Sequence, residues 1–278
     1  MIQASSIKLI LFFAILLVLA IIALATAWFE IPVVETIRIP QKADPSAEPV
    51  RFALVTDLHS CRYGKNMEKL VDLLDSAHPD AVLLAGDIFD DKRPNIYTKM
   101  FLVQIVKKYP CFYATGNHEF MSRKVREIKS YLREIGVTVL AGDCAETEIK
   151  GRIFDICGVD DPVRIWGNIW LRNIANAYAK TNPEHFRILI SHRPELVKVY
   201  SRFAFDMVVS GHAHGGQWFI PLLGRGVLAP NQGFFPKYVN GLYKLANGTN
   251  LVVSRGLARE KAPYPRFGNH PQIVVIEV

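Results

Sequence analysis

Seven side chains of metal-binding type sit in short polar clusters along this chain: Asp57 and His59 in DLH, Asp87 in GD, Asn117 in GNHE, His192 in SH, and His212 and His214 in GHAHGG. Imidazole and carboxylate together suit Zn, Mn and Fe, and donors at i and i+2 of one loop can aim at a common centre. Seven ligands are too many for one tetrahedral ion, but they are enough for two if one carboxylate bridges. Two carboxylates against two divalent cations leave a positive centre suited to an anionic phosphate, the composition of a two-metal phosphohydrolase. Taken singly, the clusters have plainer readings. An Asp or His after a strand is an ordinary turn residue, and His192, followed by Arg193 and Pro194, reads equally as a surface histidine. GHAHGG resists that treatment, because two histidines among three glycines have no packing rationale, while glycine lets the backbone approach a ligand closely.

The elements needed to bring these clusters together are visible in the apolar pattern. Residues 51–56, 81–85 and 111–115 are short apolar runs about 30 residues apart, each ending at one of the clusters. Between them, residues 64–77 carry Met67, Leu70, Val71 and Leu74 on one face, and residues 97–109 carry Met100, Phe101, Gln104 and Ile105. Strand, helix, strand at that period is the pattern of βαβ units with buried parallel strands. A further helix over 122–135, a strand over 137–140, a hairpin over 148–159 turning at Lys150 and Gly151, and a helix over 166–180 follow. Strands over 186–191, 205–210, 251–254 and 272–278 complete an α/β body of two sheets. In such a body the C-terminal strand ends share one edge, where ligands bind.

The ordered set DxH, GD, GNHE, SH and GHxH, from Asp57 to His214, resembles the calcineurin-like metallophosphoesterases. GHAHGGQ at residues 211–217, GVDDP at 158–162 and SRGL at 254–257 are further similar to the bacterial membrane-associated branch with an N-terminal span. The resemblance covers residues 50–278 and implies a four-layer αββα sandwich. It implies that Asp57, His59, Asp87 and His214 hold one ion and that Asp87, Asn117, His192 and His212 hold the other, with Asp87 as the bridge. Mn, Fe or Zn would serve. The implied reaction is hydrolysis of a phosphomonoester or phosphodiester by in-line attack of a metal-bridging hydroxide, with no covalent enzyme intermediate. His118, directly after Asn117, would contact the phosphate and protonate the leaving oxygen; its plainer reading is a residue that only supports the ligands. Arg62, five residues beyond Asp57, is a candidate donor to a phosphate oxygen and equally a solvated residue of the first helix. Asp90 and Asp91 either orient ligands or carry loop charge, and Asp160 has a structural or supporting role.

Ahead of this body, residues 9–29 form 21 consecutive uncharged residues between Lys8 and Glu30. A helix of that length spans about 30 Å, the thickness of a bilayer core, so residues 1–30 are expected to be a retained membrane anchor. A cleaved leader is the alternative, because Ala25, Thr26 and Ala27 satisfy the small-x-small rule. Residues 31–49, with four prolines, read as a linker with a short strand, and residues 50–278 as the metallophosphoesterase domain. The expected location is a single pass through the cell membrane with the catalytic body outside the cytoplasm.

Large apolar residues at 218–223 and at Phe234, Phe235 and Tyr238 read as packing or, beside an anchor, as a groove for acyl chains, and the second reading makes lipid-linked phosphoesters such as UDP-2,3-diacylglucosamine candidate substrates. A broad phosphodiesterase acting on small molecules or cyclic nucleotides is the alternative. A non-enzymatic, membrane-tethered binder of metals or polyanions is a third reading, disfavoured because a pure binder has no use for His118 beside Asn117. The 278 residues carry a formal charge of +7, from 33 Lys and Arg against 26 Asp and Glu. These basic residues are scattered, so no nucleic-acid polymer is expected as a partner. Half the chain is hydrophobic, which excludes a disordered chain, and the length excludes a disulfide-stapled miniprotein. Cys61, Cys111, Cys144 and Cys157 match no metal-binding spacing and read as buried thiols, with a disulfide open to them.

Overall fold

The computed structural model describes the backbone of residues 2–40, 48–164, 167–220, 225–259 and 266–278, and their side chains except at 2–7, 22–29 and 164. Two six-stranded sheets face each other. The first contains β1 (Val33–Arg38), β2 (Arg51–Val55), β3 (Ala81–Ala85), β4 (Cys111–Ala114), β5 (Thr138–Val139) and, returning from the far end of the chain, β16 (Gln272–Glu277). Their order is β1-β16-β2-β3-β4-β5. Strands β2 to β5 are parallel and β16 runs antiparallel to β2.

The second sheet contains β6 (Asp143–Ile149), β7 (Arg152–Gly158), β8 (Phe186–Ile190), β9 (Met207–Ser210), β14 (Gly241–Lys244) and β15 (Asn250–Val253). They lie in the order β14-β15-β9-β8-β7-β6. Strands β7, β8, β9 and β15 are parallel, flanked by antiparallel edges. Two short hairpins, β10 (Phe219–Ile220) with β11 (Arg225–Gly226) and β12 (Leu228–Ala229) with β13 (Gly233–Phe234), fall between β9 and β14.

Period-two alternation sorts the strand residues into layers. Phe52 and Leu54 of β2, with Leu83 of β3, point between the sheets against Phe154, Ile156, Ile188 and Val209. Ala53 and Val55, with Val82 and Leu84, point the other way, onto α2 (Glu68–Ser76), α3 (Ile96–Ile105) and α5 (Val125–Glu134) through Leu70, Leu74, Phe101, Leu102 and Leu132. On the outer face of the second sheet, Leu189, Val208 and Leu251 pack against Trp170 and Ile174 of α6 (Asn168–Tyr178) and Tyr200 of α7 (Val197–Tyr200). These four layers make the αββα sandwich.

Most elements fall where the apolar pattern predicts, although the hairpin expected over 148–159 begins earlier, with β6 starting at Asp143. The helix predicted over 122–135 differs: the chain makes a separate short turn, α4 (Asn117–Met121), before α5. Arg123 in the left-handed region, φ 62°, interrupts the two. The helix predicted from residue 166 is seen from Asn168, and its first residue lies outside the described ones. The strand expected within the linker pairs in parallel with β16, so β1 extends the first sheet instead of hanging free.

The N-terminal segment calls for a correction. Residues Ile2–Phe29 form α1, yet among the described residues no helix is long and apolar enough to cross a membrane. The side chains described in α1 run from residue 8 to 21 and are exposed. The single-pass anchor, the membrane as a partner and the location deduced from them thus find no support among the described helices. The side chains of the small-x-small leader signal lie outside the described residues, as do residues 221–224 of the apolar run.

Candidate metal centre

Parallel strands deliver every predicted cluster to one edge of the sandwich. Asp57 and His59 follow β2, Asp87 follows β3 and Asn117 and His118 open α4 after β4. From the second sheet, His192 follows β8, while His212 and His214 follow β9. The backbone turns sharply there. Asp57, His59, Asp87, His212 and His214 all have φ between 46° and 65°, a left-handed conformation that costs non-glycine residues about 1–2 kcal/mol each. Five strained residues converging on one point mark a place where side-chain direction outweighs backbone comfort. Glycine makes the approach possible: a Cβ on Gly86 would come within 2.7 Å of His192 Nδ1, and one on Gly256 within 2.6 Å of Asp57 Cβ.

Among the groups of potential ligands at this edge are Asp57 with His59 and His214, and Asp87 with His192 and His212; two more join His118 to His59 and Asp87, and to Asp90 and Asp91. Within each group the ligand atoms lie within 4.8 Å of one another. Asp87 joins them. Its Oδ2 lies 3.1 Å from His192 Nε2, 3.7 Å from His59 Nε2 and 4.0 Å from His118 Nε2. Asp57 Oδ1 lies 3.7 Å from His214 Nε2 and 3.9 Å from His192 Nε2. The polar atoms that remain suit metal ions: His59 Nε2, His192 Nε2 and Asn117 Oδ1 are buried without a hydrogen-bond partner. A buried lone pair without a donor is costly unless a cation takes it. The donor set therefore fits two divalent ions, without selecting which metal.

The outer nitrogens of the histidines are tied so that the inner ones face the centre, as metal-ligating histidines require. His192 Nδ1 donates to Ala85 O at 2.8 Å, and His59 Nδ1 lies 3.3 Å from Asp90 Oδ2. His212 Nε2 donates to Asn231 Oδ1 at 2.8 Å, which leaves Nδ1 as its ligand atom. His118 Nδ1 donates to Asp91 Oδ1 at 2.6 Å. The carboxylates are held by backbone: His212 N donates to both oxygens of Asp57 at 3.1 Å, and His118 N to Asp87 Oδ1 at 2.8 Å. Glu119, fully buried, accepts from the backbone N–H of Asp87, Ile88, Phe89 and Gly116, locking the GD turn to the GNHE turn. Burial, with the Asp87 charge beside it, pushes the Glu119 carboxyl up to about 7.

Electrostatics divides the roles. Burial opposes charge on Asp87, but His192, followed by His59 and His118, outweighs it and holds that carboxyl well below the usual range. For Asp57 burial dominates, and its carboxyl is raised. Burial likewise depresses His212 to about 3 and His214 well below its ordinary value, so both stay neutral, the form that binds metal. His192 differs: burial again opposes charge, but Asp87 and then Asp57 override it and raise the imidazole to about 10. The space between His192 and Asp87 thus favours a cation.

A cavity of about 680 Å³ opens over this cluster, with His59, His118 and His214 on its floor. Lys92, Arg93 and Arg259 supply positive charge on its walls, and Leu228, Ala229 and Pro230 an apolar side. Arg62 is not part of it. Its guanidinium is exposed, donates to Gly64 O at 2.9 Å and lies 5.9 Å from the centre of the Tyr97 ring. Asp90 and Asp91 act as orienting acceptors for His59 and His118. Asp160, of the GVDDP segment, accepts from Thr115 Oγ1 at 2.8 Å and Lys129 Nζ at 2.6 Å, bracing the residue before the GNHE turn.

Lys92 and Arg93 of the cavity wall carry no motif that marks them in the sequence, and Asn231, Arg193 and Asp161 were likewise not singled out as parts of the site. Asn231 lies on a turn between hairpin strands, and no spacing announces it. Arg193, read only as the neighbour of His192, forms a buried two-bond pair with Asp161, Nε to Oδ2 at 2.7 Å and Nη2 to Oδ1 at 3.0 Å. Its Nη1 donates to Asn231 Oδ1 at 2.8 Å. Asp161 follows Asp160 in GVDDP, and that adjacency was the available signal.

A further group, Glu146, Asp155 and His185, also has ligand-type atoms close together. Both oxygens of Asp155 are already used, by Asn182 N at 2.6 Å and His185 Nδ1 at 3.0 Å, which makes it a tether between β7 and the loop before β8.

Residues 50–216, more than half of the chain, match the family model described as calcineurin-like phosphoesterase. A metallophosphoesterase of Campylobacter jejuni, described as uncharacterized, is 29% identical over 74% of this chain and 53% of its own length. One from Helicobacter pylori, described in the same way, is 28% identical over 78% of this chain and 56% of its own. The chain thus spans about half the length of these curated relatives. Among solved structures, a 5'-nucleotidase precursor from Thermus thermophilus superposes with a TM-score of 0.51 at 14% identity, covering 83% of this chain and 55% of that one, a likeness of fold. With His and Asp groups compatible with two metal ions at the strand ends of this sandwich, the chain belongs to the calcineurin-like phosphoesterases.

Proposed function

We propose that this chain hydrolyses phosphodiesters of small soluble molecules, nucleotides included, at a two-ion centre. In this reading Asp57, His59, Asp87 and His214 hold one ion, and Asp87, Asn117, His192 and His212 the other, with Mn, Fe or Zn as the metals. Bound there, two divalent cations supply Lewis acidity toward phosphoryl oxygens and bring the pKa of water toward neutrality. The rest falls to the protein. Lys92, Arg93 and Arg259 attract the anionic ester to the cavity, and Leu228, Ala229 and Pro230 give its organic group an apolar wall. His118, held through Nδ1 by Asp91, presents Nε2 to the cavity floor. As the water oxygen bonds to phosphorus, giving up a proton to solvent, the bond to the leaving oxygen breaks and the proton on Nε2 passes to that oxygen.

The observation that carries this reading is the convergence of both ligand groups on Asp87 at one edge of the sandwich, beneath a cavity lined by His59, His214 and the His118–Asp91 pair. The lipid-linked substrates expected from the sequence drew their support from the anchor, which the described helices do not supply. The small-molecule alternative is the one retained. The test is phosphate release by Mn-loaded protein from bis-p-nitrophenyl phosphate, a cyclic nucleotide and a nucleoside monophosphate. Turnover of the two diesters, abolished by chelation and restored by Mn, is expected. No turnover of any ester by protein holding two ions per chain would defeat the proposal.

A further inference from the structure

Asn231 sits in an exposed turn, at φ 60°, fifteen residues beyond the GHAHGG motif, yet its carbonyl oxygen is the meeting point of two donors. His212 Nε2–H and Arg193 Nη1–H both point to Oδ1, each at 2.8 Å. Arg193 cannot swing away, because its other nitrogens are paired to Asp161, and both of those side chains are almost completely buried. A guanidinium offers only donors, so it fixes which end of the Asn231 amide faces inward: the oxygen. An oxygen there can only accept, so His212 must carry its proton on Nε2 and keep the Nδ1 lone pair for the centre. Three loops, after β7, β8 and β12, thereby set one tautomer.

We propose that Asn231 is a positioning residue for the metal centre: held by the Asp161–Arg193 pair, it selects the His212 tautomer that presents Nδ1 beside Asp87. The inference rests on the two-ion reading above and extends the site to a residue that touches neither ion nor substrate. Partners of this kind govern metal affinity by about 10–100-fold, because an unheld imidazole spends time rotated or protonated on the ligating nitrogen. An exposed turn residue is also a clean place to test it, since little packing is lost with the side chain.

Two substitutions separate the roles. Asn231→Gly removes the acceptor while keeping the left-handed backbone available, and Asn231→Asp retains an acceptor for both donors. Equilibrium dialysis against Mn, with electron paramagnetic resonance to detect the spin-coupled Mn pair, reads occupancy without any substrate. The wild-type protein and Asn231→Asp are expected to bind two Mn per chain and show the coupled signal. Asn231→Gly is expected to keep one tight Mn and bind the other at least 10-fold more weakly, losing the coupled signal at limiting Mn. Asn231→Gly binding both ions as tightly as wild type overturns the inference, and so does a defect in Asn231→Asp equal to that of the glycine variant. Wild-type protein that binds two Mn but hydrolyses no ester would instead defeat the proposed function, and the comparison of variants would still stand.

Discussion

His118 Nδ1 and Asp91 Oδ1 are 2.6 Å apart, the shortest tie made by any histidine at the centre. A carboxylate accepting from Nδ1 orients the ring and leaves Nε2 as the nitrogen facing the cavity, from which a proton can be supplied. His118→Gln is therefore expected to keep two Mn per chain while lowering turnover of alkyl phosphodiesters by about 10²–10⁴-fold. Esters of p-nitrophenol, whose leaving group needs no proton, should lose much less. Equal losses on both ester types, measured on metal-replete protein, would remove the proton-donor role.

Among the described residues, Asp87 is the one carboxylate within 4.0 Å of His59, His118 and His192 together. Replacing it with Ala takes a ligand from both ions of the proposed pair. The expected outcome is loss of metal content and activity together, larger than the roughly 10–100-fold effect on affinity typical of an outer partner. Elemental analysis after dialysis checks it, and retention of both ions would rule out bridging.

Away from the site, Asp75 anchors α2 to the residues after α3, accepting from Lys108 Nζ and, at 2.7 Å, from Tyr109 Oη. Partial burial opposes its charge, but those two donors outweigh it and hold the carboxyl below its ordinary value. The sign follows from proton linkage. Below the unfolded-state value of about 4 the unfolded chain binds the extra proton, so this contribution is complete above that pH and is lost as pH falls through the depressed folded value. Asp75→Asn should unfold with a shallower dependence on pH between about 5 and 2 than wild type. Parallel curves in urea titrations across that range would show that the pair contributes nothing.

Cysteine chemistry offers a simple count. Cys144 and Cys157 face each other across β6 and β7 and form a disulfide, while Cys61 and Cys111 are free and buried. Burial pushes the Cys111 thiol up to about 12, so almost no thiolate exists at pH 8. Native protein should leave Cys111 unalkylated at that pH. Unfolding without reductant should expose two thiols, and unfolding with reductant four. Four thiols without reductant would show that the hairpin is not cross-linked.

The fold was legible wherever burial writes a period into the chain. β2 and β3 alternate between two cores, and α2 buries Leu70, Val71 and Leu74 at helical spacing. Each apolar run stops where the chain leaves the sheet, so the polar clusters after them could be assigned to one edge before any contact was known. The break at Arg123 was not legible, because a single left-handed residue leaves no mark on the apolar pattern. Neither was the pairing of β1 with β16, which joins residues 239 apart between Val33 and Gln272. The apolar run of residues 9–29 was read by length and hydropathy alone, and among the described residues no helix meets that reading.

The sequence by itself determined the chemistry available to this protein: which side chains can ligate metals, that they end parallel strands, and that a histidine adjoins Asn117. Those are properties of residue type and local spacing, which the chain carries before it folds. Only the tertiary structure decided which nitrogen of each imidazole faces the centre, because that depends on acceptors from distant loops, Ala85 O for His192, Asp91 for His118 and Asn231 for His212. It also placed Arg62 outside the cavity and brought Arg93 and Arg259 to its walls. A hydrogen bond is set by position and direction to within tenths of an ångström, and contacts between remote segments acquire that precision only when the layers pack.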